Sequence, residues 1–408
     1  MWIILRVLIG VIILFFLEYY FVRKLNLVFK VLFPDFSIKK KKIIIYTFVI
    51  LLNLYPAILI LNAVYAVITN QSVSFPQNIF ADYLLLYPFW ILILLILQVS
   101  VLFLFVDVFS LVPYFVYKNH REKIDVWKVR IFLALTLFFA FYVPGRIIYD
   151  YNSVNVRYVE LKKENLPKDI DELKIAFITD VQADRYTDEA RLKNYIDKIT
   201  AQNPDLVLIA GDVITSTPDY INLAAKYLGK ITPTYGTYSC VGDHDNWAYR
   251  KDNIRSLKEI KSALQRFNVQ MLDNEIRYIE IDSSRVGITF ITNTYVSEIS
   301  ETTLRNVSSS NNGDLKIFLT HQPQNFLINS AVNNKYDLFL AGHTHGGQIT
   351  LVFPFIQLTP TLVETKYIRG EFLLDKTLAV VCGGLGMSLA PIRYNSTPEI
   401  IILQLKSK

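Results

Sequence analysis

Four long apolar runs constrain this chain more than any other feature. They cover residues 2–20, 43–68, 84–112 and 131–149, and each is long enough to supply the roughly 20 residues that a helix needs to cross a bilayer. Hydrophobic residues make up 52% of the chain and charged residues only 19%, which disfavours both a disordered chain and a purely soluble enzyme. We therefore expect four N-terminal transmembrane helices.

A secretory signal peptide is the alternative reading of the first run. No small-residue cleavage site follows it, and Glu18 and Tyr20 lead directly to Arg23 and Lys24. We therefore interpret this run as a membrane anchor.

Positive charge alternates between the loops that join the runs. Residues 21–42 contain seven Lys and Arg, residues 69–83 contain none, and residues 116–130 contain five. Because Lys-rich and Arg-rich loops are retained in the cytoplasm, this pattern places both basic loops there. The amino terminus and everything after the fourth helix then lie on the opposite side of the membrane. We expect a multi-pass protein of the cell (inner) membrane whose C-terminal domain is extracytoplasmic.

The charge balance also restricts the partners. Residues 1–150 contain 14 Lys and Arg against 7 Asp and Glu, whereas residues 151–408 contain 28 against 29. A near-neutral C-terminal part lacks the basic surface that nucleic acid requires, so we expect no nucleic acid partner and take the lipid bilayer as the first partner. The two cysteines, Cys240 and Cys382, are too few for a disulfide framework.

After residue 150 the pattern changes to short β-branched runs that alternate with charged, helix-like stretches, which is typical of an α/β domain. We predict two domains: a four-helix transmembrane module over 1–150 and a catalytic domain over 151–408. Five of the apolar runs in the second domain are followed at once by an Asp or a His. These residues are Asp180, Asp212, Asp243, His321 and His343.

Strands that deliver such side chains at their carboxyl ends build one cluster at one edge of a sheet. A glycine precedes Asp212, Asp243 and His343, and it allows a tight turn and close backbone approach. Carboxylates packed this closely would repel one another unless cations were bound. Four of the five histidines in the chain fall in these strand-end positions, namely His244, His321, His343 and His345. The pattern therefore predicts a metal centre.

These motifs resemble the signature of the calcineurin-like metallophosphoesterase family over about residues 156–408. The family shows Asp-x-His, Gly-Asp, Gly-Asn-His-Asp or Glu, a later His, and Gly-His-x-His, each at a strand end. Within the family the chain is most similar to the membrane-associated YkuE and YaeI type. It shares with them Gly342-His-Thr-His-Gly-Gly-Gln348 and a later block that includes Gly383 to Gly386, Pro391-Ile-Arg393 and Pro398-Glu-Ile400. The resemblance implies an α/β/β/α sandwich of mixed sheets.

The resemblance also implies roles for individual residues. Asp180 and His345 would hold one divalent ion, Asp212 would bridge, and Asp243, His321 and His343 would hold the other. Hydroxide activated by the two ions would attack phosphorus in line, without a covalent intermediate.

Three further residues have roles that the resemblance suggests. His244 would donate a proton to the leaving group or stabilise the phosphoryl oxygens. Asp245 would orient His244 or serve as a surface or capping residue. Arg393 would contact phosphate with its planar fork of donors, or the loop around it would be only a turn.

Two positions depart from the family pattern. Gln182 stands where the family has His, and Asp243 stands where it has Asn. The exchange removes an imidazole and adds a carboxylate, so the donor set becomes richer in oxygen and more anionic. We expect two divalent ions, with Mn²⁺ preferred and Mg²⁺, Fe²⁺ or Zn²⁺ as alternatives, and Gln182 as a ligand through its amide oxygen.

The expected activity is hydrolysis of a phosphate ester or pyrophosphate bond, on a lipid-linked or cell-envelope substrate because the domain is tethered near the bilayer. One alternative is an enzyme similar to the UDP-2,3-diacylglucosamine pyrophosphatase of lipid A synthesis, although that substrate is cytoplasmic. A second alternative is a non-catalytic membrane sensor or transport protein with a degenerate phosphoesterase domain, which Gln182 would suggest.

Overall fold

The computed structural model describes residues 2–69, 78–249, 251–353 and 356–408, with side chains from residue 10 onward except that of residue 67. The chain forms two compact units. The first is Met1–Ile148 with Leu351–Ile356, and the second is Tyr149–Thr350 with Gln357–Lys408. Residues 351–356 thus group with the first unit, although their sequence position falls within 151–408. The division into a membrane module and a catalytic domain stays a prediction.

Helices make up most of the described part of the first unit, and four of them are longer than 20 residues. A π-helical turn, Asp82–Leu86, joins the third helix to the fourth. The helices are α1 Trp2–Leu32, α2 Ile38–Thr69, α3 Ile79–Ala81, α4 Tyr87–Phe109, α5 Leu111–Val116 and α6 Arg121–Asn152.

Three segments of the described chain are helical and apolar enough to cross a membrane: Ile38–Ala66, Ile79–Val116 and Lys118–Asn152. They confirm the second, third and fourth predicted apolar helices. The first predicted run lies in α1, but the side chains of its first nine residues are outside the described part. A fourth span therefore stays a prediction.

Aromatic contacts and one charged cluster join α1, α4 and α6. The ring of Phe21 lies 5.2 Å from that of Phe132. The carboxylate of Asp107 in α4 lies 2.5 Å from Lys24 Nζ of α1 and 2.8 Å from Lys128 Nζ of α6. A lone carboxylate is costly within an apolar bundle, so the two ammonium groups give Asp107 a structural reason to be there.

Fourteen strands occur in the described residues, and most of them are four to nine residues long. They are β1 Asn155–Lys163, β2 Lys174–Ile178, β3 Leu206–Ile209, β4 Thr237–Ser239, β5 Val269–Met271, β6 Glu275–Ile281, β7 Ser284–Ile291, β8 Leu315–Thr320, β9 Leu338–Ala341, β10 Leu351–Phe353, β11 Ile356–Leu358, β12 Gly370–Leu374, β13 Thr377–Val381 and β14 Glu399–Ser407.

Two six-stranded sheets form the second unit. The strand order of one is β1-β14-β2-β3-β4-β5, and that of the other is β12-β13-β9-β8-β7-β6; β10 and β11 form a separate two-stranded sheet. The strands β2 to β5 run parallel to one another, whereas β14 runs antiparallel to β2. In the second sheet β7, β8, β9 and β13 are parallel, with β6 and β12 antiparallel at the edges. Both sheets are therefore mixed.

The side chains of β2 show why the two sheets stack. Ile175 and Phe177 lie in the core between the sheets, whereas Ala176 and Ile178 lie in the core beneath the helices, because successive side chains on a strand point to opposite faces. Helices cover both outer faces, which confirms the predicted α/β fold. These helices are α7 Glu189–Thr200, α8 Ile221–Leu228 and α9 Asn253–Arg266 on the first sheet, and α10 Glu301–Ser309 and α11 Asn325–Asn333 on the second.

The parallel strands also determine where the polar side chains meet. The carboxyl ends of β2, β3 and β4 lie at one edge of the first sheet, and those of β8 and β9 lie at one edge of the second. The five predicted Asp and His residues follow these five strands.

Candidate metal centre

The structure brings six of the predicted ligands together at the strand ends. Asp180, Asp212, Asp243 and His321 are almost completely buried, and His345 is only slightly more exposed. His343 is the most exposed of the six, with 14% of its side chain accessible.

One group of three consists of Asp243, His321 and His343, with one ligand atom of each within 4.8 Å of the others. Asp243 Oδ2 lies 2.9 Å from His343 Nδ1 and 3.3 Å from His321 Nε2. The two imidazole nitrogens lie 3.3 Å apart. All three atoms therefore converge on one point.

A second group consists of Asp180, Asp212 and His321 under the same distance limit. His321 Nε2 lies 3.3 Å from Asp212 Oδ2, so this nitrogen faces both groups. His345 Nε2 lies 3.4 Å from Asp180 Oδ1, which places His345 beside the second group.

Two buried oxygen atoms of this cluster have no hydrogen-bond partner among the described residues: Asp180 Oδ1 and Gln182 Oε1. The second polar atom of each of these two side chains has a partner. Thr179 Oγ1 donates to Asp180 Oδ2, and Gln182 Nε2 donates to Asp212 Oδ2. Leaving a buried acceptor unpaired costs about 1–3 kcal/mol. A divalent cation would satisfy both oxygens, so this donor set fits the predicted metals.

The backbone at the cluster is strained, since several candidate ligands have φ in the left-handed region: 51° at Asp180, 49° at Gln182, 56° at Asp212, 71° at His343 and 50° at His345. Such conformations are expected to cost about 1–3 kcal/mol each and occur mainly at functional sites. They turn the side chains of adjacent loops towards one another.

Gly242 makes the close approach of two of these loops possible. A Cβ atom at this position would lie 2.2 Å from Asp212 Oδ1. This geometry agrees with the prediction that the glycine before Asp243 allows close backbone approach.

Hydrogen bonds fix which nitrogen of two histidines faces the cluster. His321 Nδ1 lies 2.7 Å from the carbonyl oxygen of Ala210, which can only accept, so Nε2 is the nitrogen that faces the carboxylates. His343 Nε2 lies 3.0 Å from Glu364 Oε2, which leaves Nδ1 for the cluster. A ligand histidine oriented by a carboxylate is a frequent arrangement at metal sites.

Glu364 and Tyr295 were not predicted from the sequence. Tyr295 Oη donates to Glu364 Oε2 over 3.0 Å and lies 3.2 Å from His343 Nε2. Burial acts to lower the pKa of His343, but hydrogen bonds to Asp243 and Glu364 outweigh it and raise that pKa to about 9. Neither residue follows a strand of the predicted pattern, so no sequence signal marks them.

The carboxylate at position 243 has donors that suit it. Asp243 Oδ1 accepts from the backbone N–H of Tyr295 over 2.7 Å, and Gln322 Nε2 lies 2.8 Å from Asp243 Oδ2. Burial acts to raise the pKa of Asp243, but hydrogen bonds from His321 and His343 lower it well below its ordinary value. Asp243 is thus kept ionised where the family pattern has a neutral Asn.

Two roles were expected for Asp245, and its contacts distinguish between them. Its carboxylate is fully buried and accepts from the backbone N–H groups of Asp212, Val213 and Gly242, over 2.8 to 3.0 Å. Burial and the nearby Asp212 raise the pKa of Asp245 to about 6. The alternative capping role is the one that the contacts support, because this side chain holds the turn that carries Asp212.

His244 is oriented by other residues. Its Nδ1 is close to the carbonyl oxygen of Thr215 and so carries the proton, while Nε2 lies 3.0 Å from Ser388 Oγ. Its backbone N–H donates to Asp212 Oδ1 over 2.8 Å, which places the residue at the edge of the cluster. A proton-transfer role for His244 stays a prediction.

The contacts of Arg393 favour a structural role in the turn over a contact with phosphate. It is fully buried, and its guanidinium donates to the carbonyl oxygens of Gly383, Gly386, His345 and Ser396 over 2.6 to 3.1 Å. All its hydrogen-bonding directions serve the protein, so none remains for phosphate. Arg393 instead supports the loops that carry His345 and Gly386.

Comparisons with known proteins agree with this geometry. Residues 173–347 match the family model described as calcineurin-like phosphoesterase. A metallophosphoesterase of Campylobacter jejuni is 29% identical over 281 residues, which is 68% of this chain and 70% of the relative. YkuE, a metallophosphoesterase of Bacillus subtilis, is 29% identical over 251 residues, which is 60% of this chain and 84% of the relative.

A further relative is a transmembrane protein with metallophosphoesterase domain from Danio rerio. It is 26% identical over 261 residues, and the matched part covers 61% of this chain. The match spans 56% of that relative, a little over half of its length.

Replacement of Arg393 by Ala tests its structural role. The change leaves several buried carbonyl oxygens without donors, so we expect a loss of about 3–5 kcal/mol of unfolding free energy and a clearly lower thermal midpoint. The control is Arg305→Ala, which removes a guanidinium that is 74% exposed and should change stability by less than about 0.5 kcal/mol. An Arg393→Ala chain as stable as the control would show that this guanidinium is not structural.

Proposed function

Because the chain carries a calcineurin-like metallophosphoesterase domain, we propose that it is an integral membrane phosphoesterase that hydrolyses a phosphate ester or pyrophosphate bond on a lipid-linked or cell-envelope substrate. The observation that carries the proposal is the buried cluster of three carboxylates and three imidazoles, with the unpaired oxygens of Asp180 and Gln182. Such a donor set has no purpose in an apolar core and suits divalent cations.

The proposed ligands are the predicted ones. Asp180, Gln182 and His345 would hold one cation with Asp212, and Asp243, His321 and His343 would hold the other. When bound, the cations supply Lewis acidity towards phosphoryl oxygens and a water of lowered pKa. The protein contributes orientation: Ala210 and Glu364 direct the nitrogens of His321 and His343, and Asp245 holds the turn of Asp212.

His244 is the proposed proton donor. Its Nδ1–H is engaged by Thr215, so a proton would be carried and released at Nε2. Ser388 Oγ, 3.0 Å from Nε2, orients this atom. The leaving oxygen would receive the proton as the phosphorus–oxygen bond breaks.

The membrane part supports the substrate class. Helix α6 ends at Asn152 and β1 begins at Asn155, so only two residues of chain separate a membrane-spanning helix from the first strand of the catalytic domain. A short tether favours substrates that themselves reside in the bilayer. The charge asymmetry of the loops supports an inner-membrane protein with an extracytoplasmic catalytic domain.

Hydrolysis by the full-length chain in lipid nanodiscs tests the proposal. We expect manganese-dependent hydrolysis of a lipid-linked phosphodiester or polyprenyl diphosphate, in preference to a soluble aryl phosphodiester. Asp212→Asn removes the negative charge of a proposed metal ligand. The loss of metal-dependent stabilisation of the transition state should lower the rate by about 100-fold or more. The matched control Asp197→Asn changes a surface carboxylate of α7 that is 60% exposed and should leave the rate unchanged.

Two results would contradict the proposal. Metal binding without hydrolysis of any phosphoester would favour the non-catalytic sensor or transport protein. Equal turnover of soluble and lipid-linked substrates would contradict the substrate class.

Manganese preference has its own test at position 182. The oxygen-rich set favours Mn²⁺ over Zn²⁺, and Gln182→His restores an imidazole that suits Zn²⁺. We expect the wild-type chain to be activated more by Mn²⁺ and the variant to shift towards Zn²⁺, measured as the ratio of rates with each metal. A wild-type chain that is fully active with Zn²⁺ and unaffected by Mn²⁺ would show that the substitution does not set metal preference.

A further inference from the structure

Large apolar side chains are exposed in the second unit close to the metal centre. We name the set Tyr295, Val296, Leu362, Val363 and Leu389 the apolar rim. Leu389 is fully exposed and Val363 is 76% exposed, whereas a stable domain usually buries such side chains. Clustered exposed apolar residues mark an interaction surface, while scattered ones do not. The position of the rim residues relative to the metal centre therefore decides whether they form one interaction surface.

Hydrogen bonds place the rim on two sides of the centre. On one side Tyr295 contacts His343 directly, and Val363 immediately precedes Glu364, whose carboxylate also contacts His343. On the other side Leu389 immediately follows Ser388, whose hydroxyl contacts His244. The rim residues thus contact the histidines of the centre or are close in sequence to residues that do, and are not scattered over the domain.

The loop that carries Leu389 is held rigidly in a strained shape. Leu389 has φ of 62°, and the N–H of Ala390 bonds to the carbonyl of Ser388 over 2.6 Å, which closes a three-residue turn. The amide of Gln348 fixes this turn, since its Nε2 donates to the carbonyls of Ser388, Ala390 and Ile392. The left-handed backbone of Leu389 and the exposure of its side chain to water are both unfavourable. We therefore expect another molecule to cover this side chain.

We infer that the apolar rim docks into the headgroup layer of the bilayer that holds the chain's own helices. The partner is a lipid surface because the membrane-spanning α6 leads into β1 after two residues, and because Leu351–Ile356, six residues before Leu362, belongs to the helical unit. An aromatic ring with a polar tip, such as Tyr295, together with aliphatic side chains suits the membrane interface. Docking would present the centre to phosphate groups at the surface of the membrane.

Lipid quenching of a fluorophore tests this inference on the full-length chain in nanodiscs. Leu389→Cys and Val363→Cys are labelled with an environment-sensitive fluorophore, and lipids bearing a doxyl quencher are introduced. The matched controls are Ile254→Cys and Leu373→Cys, which replace apolar residues that are 82% and 73% exposed and are not part of the rim. The native Cys240 and Cys382 are fully buried, so the unsubstituted chain gives the labelling background.

We expect the labels at 389 and 363 to lose emission with doxyl lipid, and the control labels to keep it. Emission at 389 and 363 that does not respond to doxyl lipid would overturn the inference. Loss of emission that occurs only in discs that hold two chains, through quenching of one chain's label by the label of the other, would also overturn the inference. The partner of the rim would then be a second copy of the chain. The readout needs no turnover, so the docking inference and the proposed function fail separately.

Discussion

The second unit depends on one electrostatic constraint: three buried carboxylates must share a small volume at the strand ends. In the structure the imidazoles of His321 and His343 lie among these carboxylates and compensate part of their charge. The compensation is incomplete, because Asp180 Oδ1 and Gln182 Oε1 lack partners in the described part of the chain. A bound cation would complete this compensation and would add its binding free energy to the stability of the fold.

The polar residues behind the cluster explain how strained loops keep their shape. Asp245 accepts three backbone N–H groups beneath Asp212, and Arg393 donates to carbonyl oxygens of the loops that carry His345 and Gly386. Both are charged groups that are buried but fully engaged by backbone atoms, which is the condition under which buried charge is tolerated. They position ligands without facing the opening themselves.

The residues that follow regular strands could be predicted from the sequence to lie close together. Asp180, Asp212, Asp243, His321 and His343 were predicted to meet because parallel strands end at a common edge, and they do. Residues on irregular segments could not be found in this way, so Glu364 and Tyr295 were missed. For Arg393 and Asp245 the sequence left two roles open, because motif spacing does not reveal whether a charged side chain points to solvent or to buried backbone.

Anomalous diffraction at the manganese edge, on crystals of the full-length chain grown with Mn²⁺, shows directly whether the cluster binds two cations. We expect two anomalous peaks, one beside Asp243, His321 and His343 and the other beside Asp180 and Asp212, with loss of both in an Asp212→Asn crystal. Crystals with manganese present but no peak between these side chains would contradict this expectation.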